Sequence, residues 1–115
     1  MLRGEIWQVD CNPARGSEAS KSRPAVVVSN DRANATASRL GRGVVTVVPV
    51  TSNIATIYPF QVFLPAATTG LAVDSKARAE QIRSVATERL RRRIGRVSPA
   101  ELAQLDDALR LHLEL

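Results

Sequence analysis

Metal-ligating and thiol side chains are scarce in this 115-residue chain, which has one cysteine, Cys11, and one histidine, His112. A single cysteine cannot form an intramolecular disulfide, and zinc and iron sites need several clustered Cys, His or carboxylate ligands. The sequence also contains no Walker loop and no Gly-x-Gly-x-x-Gly motif. We therefore expect no metal ion and no nucleotide cofactor.

Aromatic and acidic residues are also few. The aromatics are Trp7, Tyr58, Phe60 and Phe63, which is too small a number for a broad base-stacking platform. Lys and Arg together number 16, Asp and Glu together number 11, and the formal net charge is +5. This balance favours a polyanion or an acidic protein as the partner.

Uncharged sequence is present but is repeatedly interrupted. Residues Gly43 to Val73 carry no charge, yet they contain three prolines and the polar cluster Thr51-Ser52-Asn53, so they would make a poor transmembrane helix. The segment Met1 to Glu5 lacks the apolar core of a signal peptide. We expect one domain, residues 1–115, in the cytoplasm and not in a membrane.

The pattern of β-branched runs and turn residues predicts an α+β domain with a C-terminal amphipathic helix, built as a strongly bent antiparallel sheet or small SH3-like barrel. The helix is signalled by a capping box at Ser98 to Glu101, and by Leu102, Leu105, Leu109 and Leu113 at helical spacing. Other predicted elements are strands at Gly4–Asp10, Ala25–Val28, Val44–Val50, Tyr58–Leu64 and Ile94–Val97, one or two strands within Ser75–Val85, a weak helix within Asn30–Leu40, a turn at Thr68–Gly70 and a helical turn at Thr87–Leu90.

Two of these strand ends carry groups suited to an anion. Arg23 precedes a buried strand on the stiff support of Pro24, and Thr51, Ser52 and Asn53 follow another. If the ends converge, the guanidinium and the threonine hydroxyl can bind one phosphate and stabilise charge while a ribose 2′-hydroxyl attacks it. The same residues also fit a structural salt bridge and a strand cap, and the sequence alone does not separate these interpretations.

A second constellation lies in a basic region, Lys76 to Arg96, which holds eight of the sixteen basic residues. Glu80 and Gln81 can read base edges while Arg83 meets phosphate or stacks, as recognition of single-stranded RNA requires. Lys76 and Arg78 are predicted to lie on one face of a strand and to contact phosphates. A solvated charged face explains the run Arg91 to Arg93 equally well.

Short motifs follow one another in a fixed order along nearly the whole chain: Arg-Gly-Glu-Ile-Trp at 3–7, Gly-Ser-Glu at 16–18, Arg-Pro at 23–24, Pro-Val-Thr at 49–51, Asp-Ser at 74–75, Glu-Gln-Ile-Arg at 80–83, Arg-Leu at 89–90 and Ile-Gly-Arg at 94–96. Together they resemble the MazF/PemK family of toxin endoribonucleases, which has the CcdB/MazF small-barrel fold. The Arg-Pro pair alone would be weak evidence for this resemblance, but the ordered set of motifs is specific.

The resemblance implies a homodimeric, metal-independent, ribosome-independent endoribonuclease that cuts single-stranded RNA at short sequences, leaving a 2′,3′-cyclic phosphate and a 5′-hydroxyl. A cognate acidic antitoxin of the MazE type would neutralise it. Arg23 and Thr51 match the family's catalytic pair, and Gln81 lies in its recognition strand. The loop from Cys11 to Ser22 matches its substrate-covering loop. In this loop we assign Glu18 as the candidate base and Ser17 and Lys21 as RNA contacts. Ser52 and Asn53, outside the loop, are also assigned as RNA contacts.

One departure from the family pattern is Lys76-Ala77-Arg78-Ala79, where a more aliphatic run is usual. Extra cations there are expected to strengthen phosphate contacts or to change base preference. Two other functions remain open at this point. A CcdB-like toxin would bind DNA gyrase through the terminal helix, and a noncatalytic barrel would bind RNA through the basic region without cutting it.

Overall fold

The computed structural model describes residues 1–10 and 22–115, which form a mixed α and β fold on antiparallel strands. The strands are β1 (Glu5–Asp10), β2 (Ser22–Val27), β3 (Val44–Thr51), β4 (Gln61–Leu64), β5 (Ser75–Arg78), β6 (Arg83–Ala86) and β7 (Leu90–Arg96). The helices are α1 (Asp31–Leu40), α2 (Ala66–Thr69) and α3 (Pro99–Leu113), with 3₁₀ turns at Ala79–Gln81 and Thr87–Arg89. The predicted α+β class is confirmed.

The centre of the sheet is the antiparallel pairing of β2 with β3, in which Ala25 lies opposite Pro49. Side chains of successive strand residues point to opposite faces, and here each face has its own core. Val26, Val48 and Val50 pack in the cluster that contains Leu105 of α3, whereas Val27 and Val47 pack in the cluster that contains Ala37 of α1. Burial on both faces explains why these two strands are continuous apolar runs.

The sheet is curved, as a short connection between its ends requires. Strands β6, β3, β2, β1 and β7 pair in that order, so a flat arrangement would separate β6 from β7 by about 19 Å. The chain, however, passes from Ala86 to Leu90 in four residue steps, which span at most about 14 Å. The two outer strands must therefore bend towards each other, as predicted for a small barrel.

Strand β3 is shared between two groups of strands. Its first half, from Val44 to Val47, pairs with β6, and Val50 and Thr51 pair with β5, which in turn pairs with β4. Thr51 lies opposite Lys76 in this second pairing. The end of β3 is therefore held between β2 and β5, which fixes the position of the residues that follow it.

Both longer helices have the predicted caps. The side chain of Asn30 accepts a hydrogen bond from the Ala33 amide and Gly41 ends α1 with φ +67°. At α3 both bonds of the capping box form between Ser98 and Glu101. Leu105 is buried and Leu102 and Leu109 pack against the core, but Leu113 is 46% exposed, so the predicted apolar stripe is one turn too long. Among residues 1–10 and 22–115, no helix is both long and apolar enough to cross a membrane.

Four predicted boundaries are wrong. The strand expected at Ala25–Val28 begins at Ser22, because β1 supplies pairing partners back to that residue, so Arg23 lies within β2. The strand expected from Tyr58 begins only at Gln61, because the Tyr58 amide donates to the Gln61 side chain and Gln61 N–H to the Tyr58 carbonyl, forming a turn. The turn at Thr68–Gly70 is the end of α2, which Gly70 terminates with φ +88°. The strand expected at Ile94–Val97 starts at Leu90, since β1 supplies pairing partners back to that residue.

Candidate active site

Arg23 and Thr51 lie at the same end of the β2–β3 pair. The β2–β3 pairing ends with Ala25 opposite Pro49, and Arg23 and Thr51 each lie two residues beyond that last pair. Both residues line a pocket of about 180 Å³, together with Ser22, Pro24, Val50, Ser52, Leu71, Ala72, Val73 and Ser75. The structure thus brings together the two strand ends that the sequence analysis singled out.

The groups facing this pocket remain free to bind a ligand. Arg23 is exposed, and its guanidinium has no ion-pair partner within residues 1–10 and 22–115. Thr51 is half-buried, and its Oγ1 accepts a hydrogen bond from the Asn53 amide at 3.3 Å. Thr51 therefore does cap its strand, but as an acceptor, so its hydroxyl hydrogen can still be donated to an anion. The arrangement offers a guanidinium and a hydroxyl to one oxyanion.

Another wall of the pocket is formed by Leu71, Ala72 and Val73, which follow α2. The position of this segment depends on a close backbone contact between α2 and β7, which was not predicted from the sequence. The α carbon of Gly95 packs against the backbone at the end of α2. If residue 95 carried a Cβ, this atom would lie 1.9 Å from the Thr69 carbonyl oxygen. Thr69 is buried, and its hydroxyl donates to the Pro65 carbonyl. Only glycine fits at this crossing with β7. The one signal in the sequence was the Ile-Gly-Arg motif.

Comparison with known proteins gives the family. The sequence profile described as "PemK-like, MazF-like toxin of type II toxin-antitoxin system" matches residues 2–113. The chain is 80% identical over 115 residues to Endoribonuclease MazF9 of Mycobacterium tuberculosis, covering 100% of this chain and 98% of the relative. It is also similar to a solved MazE–MazF complex from Deinococcus radiodurans, with a TM-score of 0.80, 28% identity, and 100% and 96% of the two chains covered.

This chain belongs to the PemK/MazF toxin family. A second solved structure, titled an endoribonuclease in complex with its cognate antitoxin from a mycobacterial species, is similar with a TM-score of 0.74 at 23% identity, covering 100% of this chain and 96% of the other. The strand order and curved sheet described above are thus those of the CcdB/MazF fold.

In this PemK/MazF chain the predicted RNA contacts between Lys76 and Arg83 lie apart from the Arg23 pocket, since none of these residues lines it. Gln81 and Arg83 are exposed, Gln81 at the end of a 3₁₀ turn and Arg83 at the start of β6. Glu80 accepts a hydrogen bond from the side-chain amide of Gln61 at 2.7 Å, while its other oxygen, like Nε of Arg78, is buried without a hydrogen-bond partner among residues 1–10 and 22–115. Exposure therefore favours Gln81 and Arg83 as ligand contacts over Glu80 and Arg78.

Lys76 is the predicted RNA contact whose surroundings differ most from expectation. It is only 7% exposed, and its ammonium donates to the Thr56 carbonyl at 2.5 Å. The same nitrogen lies 5.8 Å from the centre of the Tyr58 ring. Its charge is thus engaged within the protein. Ser52 and Asn53, by contrast, are exposed beside the pocket, whereas Ser17, Glu18 and Lys21 lie outside the described residues.

The basic run on β7 is partly neutralised by its neighbour β1. Arg91 pairs with Asp10 at 3.1 Å, and Arg93 pairs with Glu5 at 2.8 Å. Burial would raise the pKa of Glu5, but hydrogen bonds from the Leu2 amide and the Trp7 indole, with Arg93 and the N-terminal amine nearby, lower it below the usual 4.5. For Arg91 and Arg93, ion pairs with acidic residues of the neighbouring strand account for the positive charge. Arg92 is exposed with no ion-pair partner in the described part of the chain.

A larger pocket of about 260 Å³ lies beside the start of α3, between Leu2–Glu5 and Arg96–Leu102. Two of its three charged residues, Arg3 and Glu5, already have protein partners, and Arg96 has no ion pair within the described ranges. Arg3 donates to the Val28 carbonyl and pairs with Asp106, and Glu5 pairs with Arg93. No residue predicted as a site from the sequence lines it, so the smaller pocket with Arg23 and Thr51 is the better candidate for catalysis.

Proposed function

We propose that this chain is an endoribonuclease toxin that cuts single-stranded RNA by using the substrate's own 2′-hydroxyl as the nucleophile. The observation that carries this proposal is the pocket shared by Arg23 and Thr51, in a chain 80% identical to a protein named an endoribonuclease. A pocket with a cation and a hydroxyl suits this reaction because the protein has only to align the RNA and stabilise charge on phosphorus.

The reaction requires one bond to form and one to break. The 2′-oxygen forms a bond to phosphorus, and the bond from phosphorus to the 5′-oxygen breaks, which leaves a 2′,3′-cyclic phosphate and a 5′-hydroxyl. Arg23 binds the non-bridging oxygens through two N–H groups and delivers a proton to the leaving 5′-oxygen, while Thr51 donates a third hydrogen bond. The proton from the 2′-hydroxyl goes to the Glu18 carboxylate, a role assigned from the sequence. Glu18 then loses a proton to solvent while Arg23 regains one from it, which restores both groups. No step requires a metal ion.

Substrate contacts beyond the scissile phosphate are assigned by exposure and charge. Ser52 and Asn53 extend from the Thr51 strand end, and Gln81 and Arg83 present an amide and a guanidinium to solvent. These four groups can read base edges and bind phosphates of a short single-stranded sequence. We place Ser17 and Lys21 on the same RNA, and Arg78 and Glu80 in support of this surface.

The partner proposed for regulation is a cognate antitoxin with an acidic segment. One similar structure is titled a MazE–MazF complex, and a net charge of +5 would attract an acidic chain. We further propose that the 115 residues act as one domain, that two copies form a homodimer, and that the toxin works in the cytoplasm, where its RNA substrate is found.

A direct test is to incubate the purified protein with a long unstructured RNA in excess EDTA and to map the new ends. The proposal predicts cuts at one short sequence, each with a 5′-hydroxyl and a cyclic phosphate, and no cuts with Arg23→Ala. A noncatalytic barrel would retard the RNA without new ends. A gyrase-binding toxin would leave the RNA intact and inhibit supercoiling instead. Either result would refute the proposal.

A further inference from the structure

The segment that follows Thr51 is held in place by a residue of the neighbouring strand. Thr51 ends β3, and the next regular strand begins at Gln61. Lys76 lies directly opposite Thr51 in the β3–β5 pair, so their side chains point to the same face of the sheet. From this position Lys76 reaches Thr56 and Tyr58 in the middle of the connecting segment.

The Lys76 ammonium connects strand β5 to the segment between β3 and β4 through noncovalent contacts. At 7% exposure the charged group has lost most of its water, and a buried charge must be compensated by hydrogen bonds or other charges. The Thr56 carbonyl at 2.5 Å and the Tyr58 ring at 5.8 Å supply that compensation. An ammonium held in this way would have to give up these partners before it could bind an RNA phosphate.

Four further contacts help to hold the same segment. The Tyr58 amide donates to Gln61, whose side-chain amide in turn donates to Glu80. At the other end, the Asn53 amide donates to the Thr51 hydroxyl oxygen at 3.3 Å. The Tyr58 ring also stacks on Phe60 at a centroid distance of 5.4 Å. Lys76 is the one contact of this set that links the middle of the segment to the strand opposite Thr51.

We propose that Lys76 is a positioning residue for the active site, which fixes residues 52–58 so that Thr51 and Ser52 face the pocket, and that it is not a phosphate contact. This inference rests on the proposed function and replaces the role expected for Lys76 from the sequence. The charge of Lys76 is used to hold a carbonyl and to lie near a ring face, a pair of contacts that needs an ammonium group.

The test compares Lys76→Met, which keeps the length but removes the charge, with Lys76→Arg, which keeps a cationic donor. Single-turnover cleavage of RNA, and Kd for a 2′-deoxy analogue that cannot be cut, are measured over a range of salt. We expect Lys76→Met to slow cleavage about tenfold or more through misplacement of Thr51, and Lys76→Arg to recover most of the rate. The slope of log Kd against log salt stays unchanged in both variants, and Kd itself rises by no more than a few fold in Lys76→Met, because Ser52 and Asn53 are less well placed.

The matched control is Arg83→Met, which removes an exposed cation. It is expected to weaken binding and to reduce the slope of log Kd against log salt by about 0.7, as loss of one phosphate contact on a single strand does. If Lys76→Met behaves like Arg83→Met, with a reduced slope and an unchanged single-turnover rate at saturating protein, Lys76 is a phosphate contact and the inference is overturned.

Amide hydrogen exchange, measured without RNA, tests the same inference independently of catalysis. Lys76→Met is expected to speed exchange at Asn53, Ala55 and Tyr58 relative to strand β3, whereas Arg83→Met leaves these amides unchanged. Unchanged exchange in Lys76→Met would overturn the inference. Should Lys76→Met fail to fold, Tyr58→Leu is the substitute, since it removes one of the two partners of the Lys76 ammonium at a half-exposed site. The inference then requires faster exchange at the same amides in Tyr58→Leu than in the wild type. If the wild type does not cut RNA, the proposed function fails while the exchange result still decides the role of Lys76.

Discussion

Arg23 and Thr51 face one pocket because the strands that carry them, β2 and β3, run antiparallel and each residue lies two positions beyond the last pair, Ala25 with Pro49. Both strands are buried on two faces, so their ends are rigid supports. A site on such supports holds its groups more accurately than one built on loops alone. The backbone positions of Arg23 and Thr51 are therefore set before substrate arrives.

Replacing Arg23 with alanine is expected to reduce RNA cleavage by about a hundredfold or more, since the charge on phosphorus loses its cationic partner. The side chain is exposed and has no ion pair in the described part of the chain, so the free energy of unfolding should change by less than about 0.5 kcal/mol. Cleavage rate and urea unfolding are measured together. Arg92→Ala, at another exposed arginine, serves as the control and should retain cleavage within a few fold. Full activity of Arg23→Ala would remove this residue from the mechanism.

The role of the Thr51 hydroxyl can be tested with one variant that keeps the side-chain shape and another that keeps the hydroxyl. Thr51→Val keeps the branched side chain but removes the hydroxyl, and we expect cleavage to fall by about a hundredfold, the effect of losing one donor to a transition-state oxyanion. Thr51→Ser retains the hydroxyl and should keep most of the activity. Both variants are compared by single-turnover rates on one RNA. Equal rates for Thr51→Val and the wild type would show that the hydroxyl only caps its strand.

Gly95→Ala tests the contact that positions the wall of the pocket. A Cβ there would lie 1.9 Å from the Thr69 carbonyl oxygen, so α2 and the following segment must move, at a cost of about 1–3 kcal/mol in unfolding free energy. Cleavage should fall as well, because Leu71 to Val73 line the pocket. At Gly41 an added Cβ meets nothing within 4 Å, and Gly41→Ala pays only the left-handed φ penalty of about 1–2 kcal/mol. Loss of cleavage in Gly41→Ala but not in Gly95→Ala would contradict this interpretation.

Stability in acid should depend on Glu5. Its pKa is lowered in the folded protein, so its stabilising contribution is fully present above the ordinary value of 4.5 and is lost as the pH falls through the lowered folded pKa. Glu5→Gln is expected to lower the unfolding free energy by about 1–2 kcal/mol at pH 7 through weaker hydrogen bonds. The difference from wild type should shrink on acidification. Urea unfolding between pH 7 and pH 3 measures it, and a difference that stays constant with pH would contradict the assignment.

Local features of the chain were predictable where nearby residues determine them. The caps at Asn30 and Ser98 depend on contacts three residues away, and the β-branched runs at Val26 and Val47 determine central strands by themselves. The convergence of Arg23 and Thr51 followed from antiparallel pairing of two such runs.

Features that depend on distant parts of the chain were not predictable in the same way. Lys76 looks like a surface cation in sequence, and its burial depends on a carbonyl twenty positions earlier, in a segment without periodic pattern. Gly95 is needed because α2 crosses β7 at that residue. Leu113 continues the helical spacing, but the core beneath α3 ends near Leu109. In each case the tertiary neighbour, and not the local sequence, decides the environment.

The central claim, that Arg23 and Thr51 serve an attack by the RNA's own 2′-hydroxyl, is tested most directly with a short RNA that is cut once. The same RNA is prepared with a single 2′-deoxy nucleotide on the 5′ side of the cut, and both are incubated with the protein in EDTA. We predict that the all-ribose RNA is cut to a 2′,3′-cyclic phosphate and a 5′-hydroxyl, while the 2′-deoxy RNA is bound but not cut. Cleavage of the 2′-deoxy RNA at the same bond would contradict the mechanism.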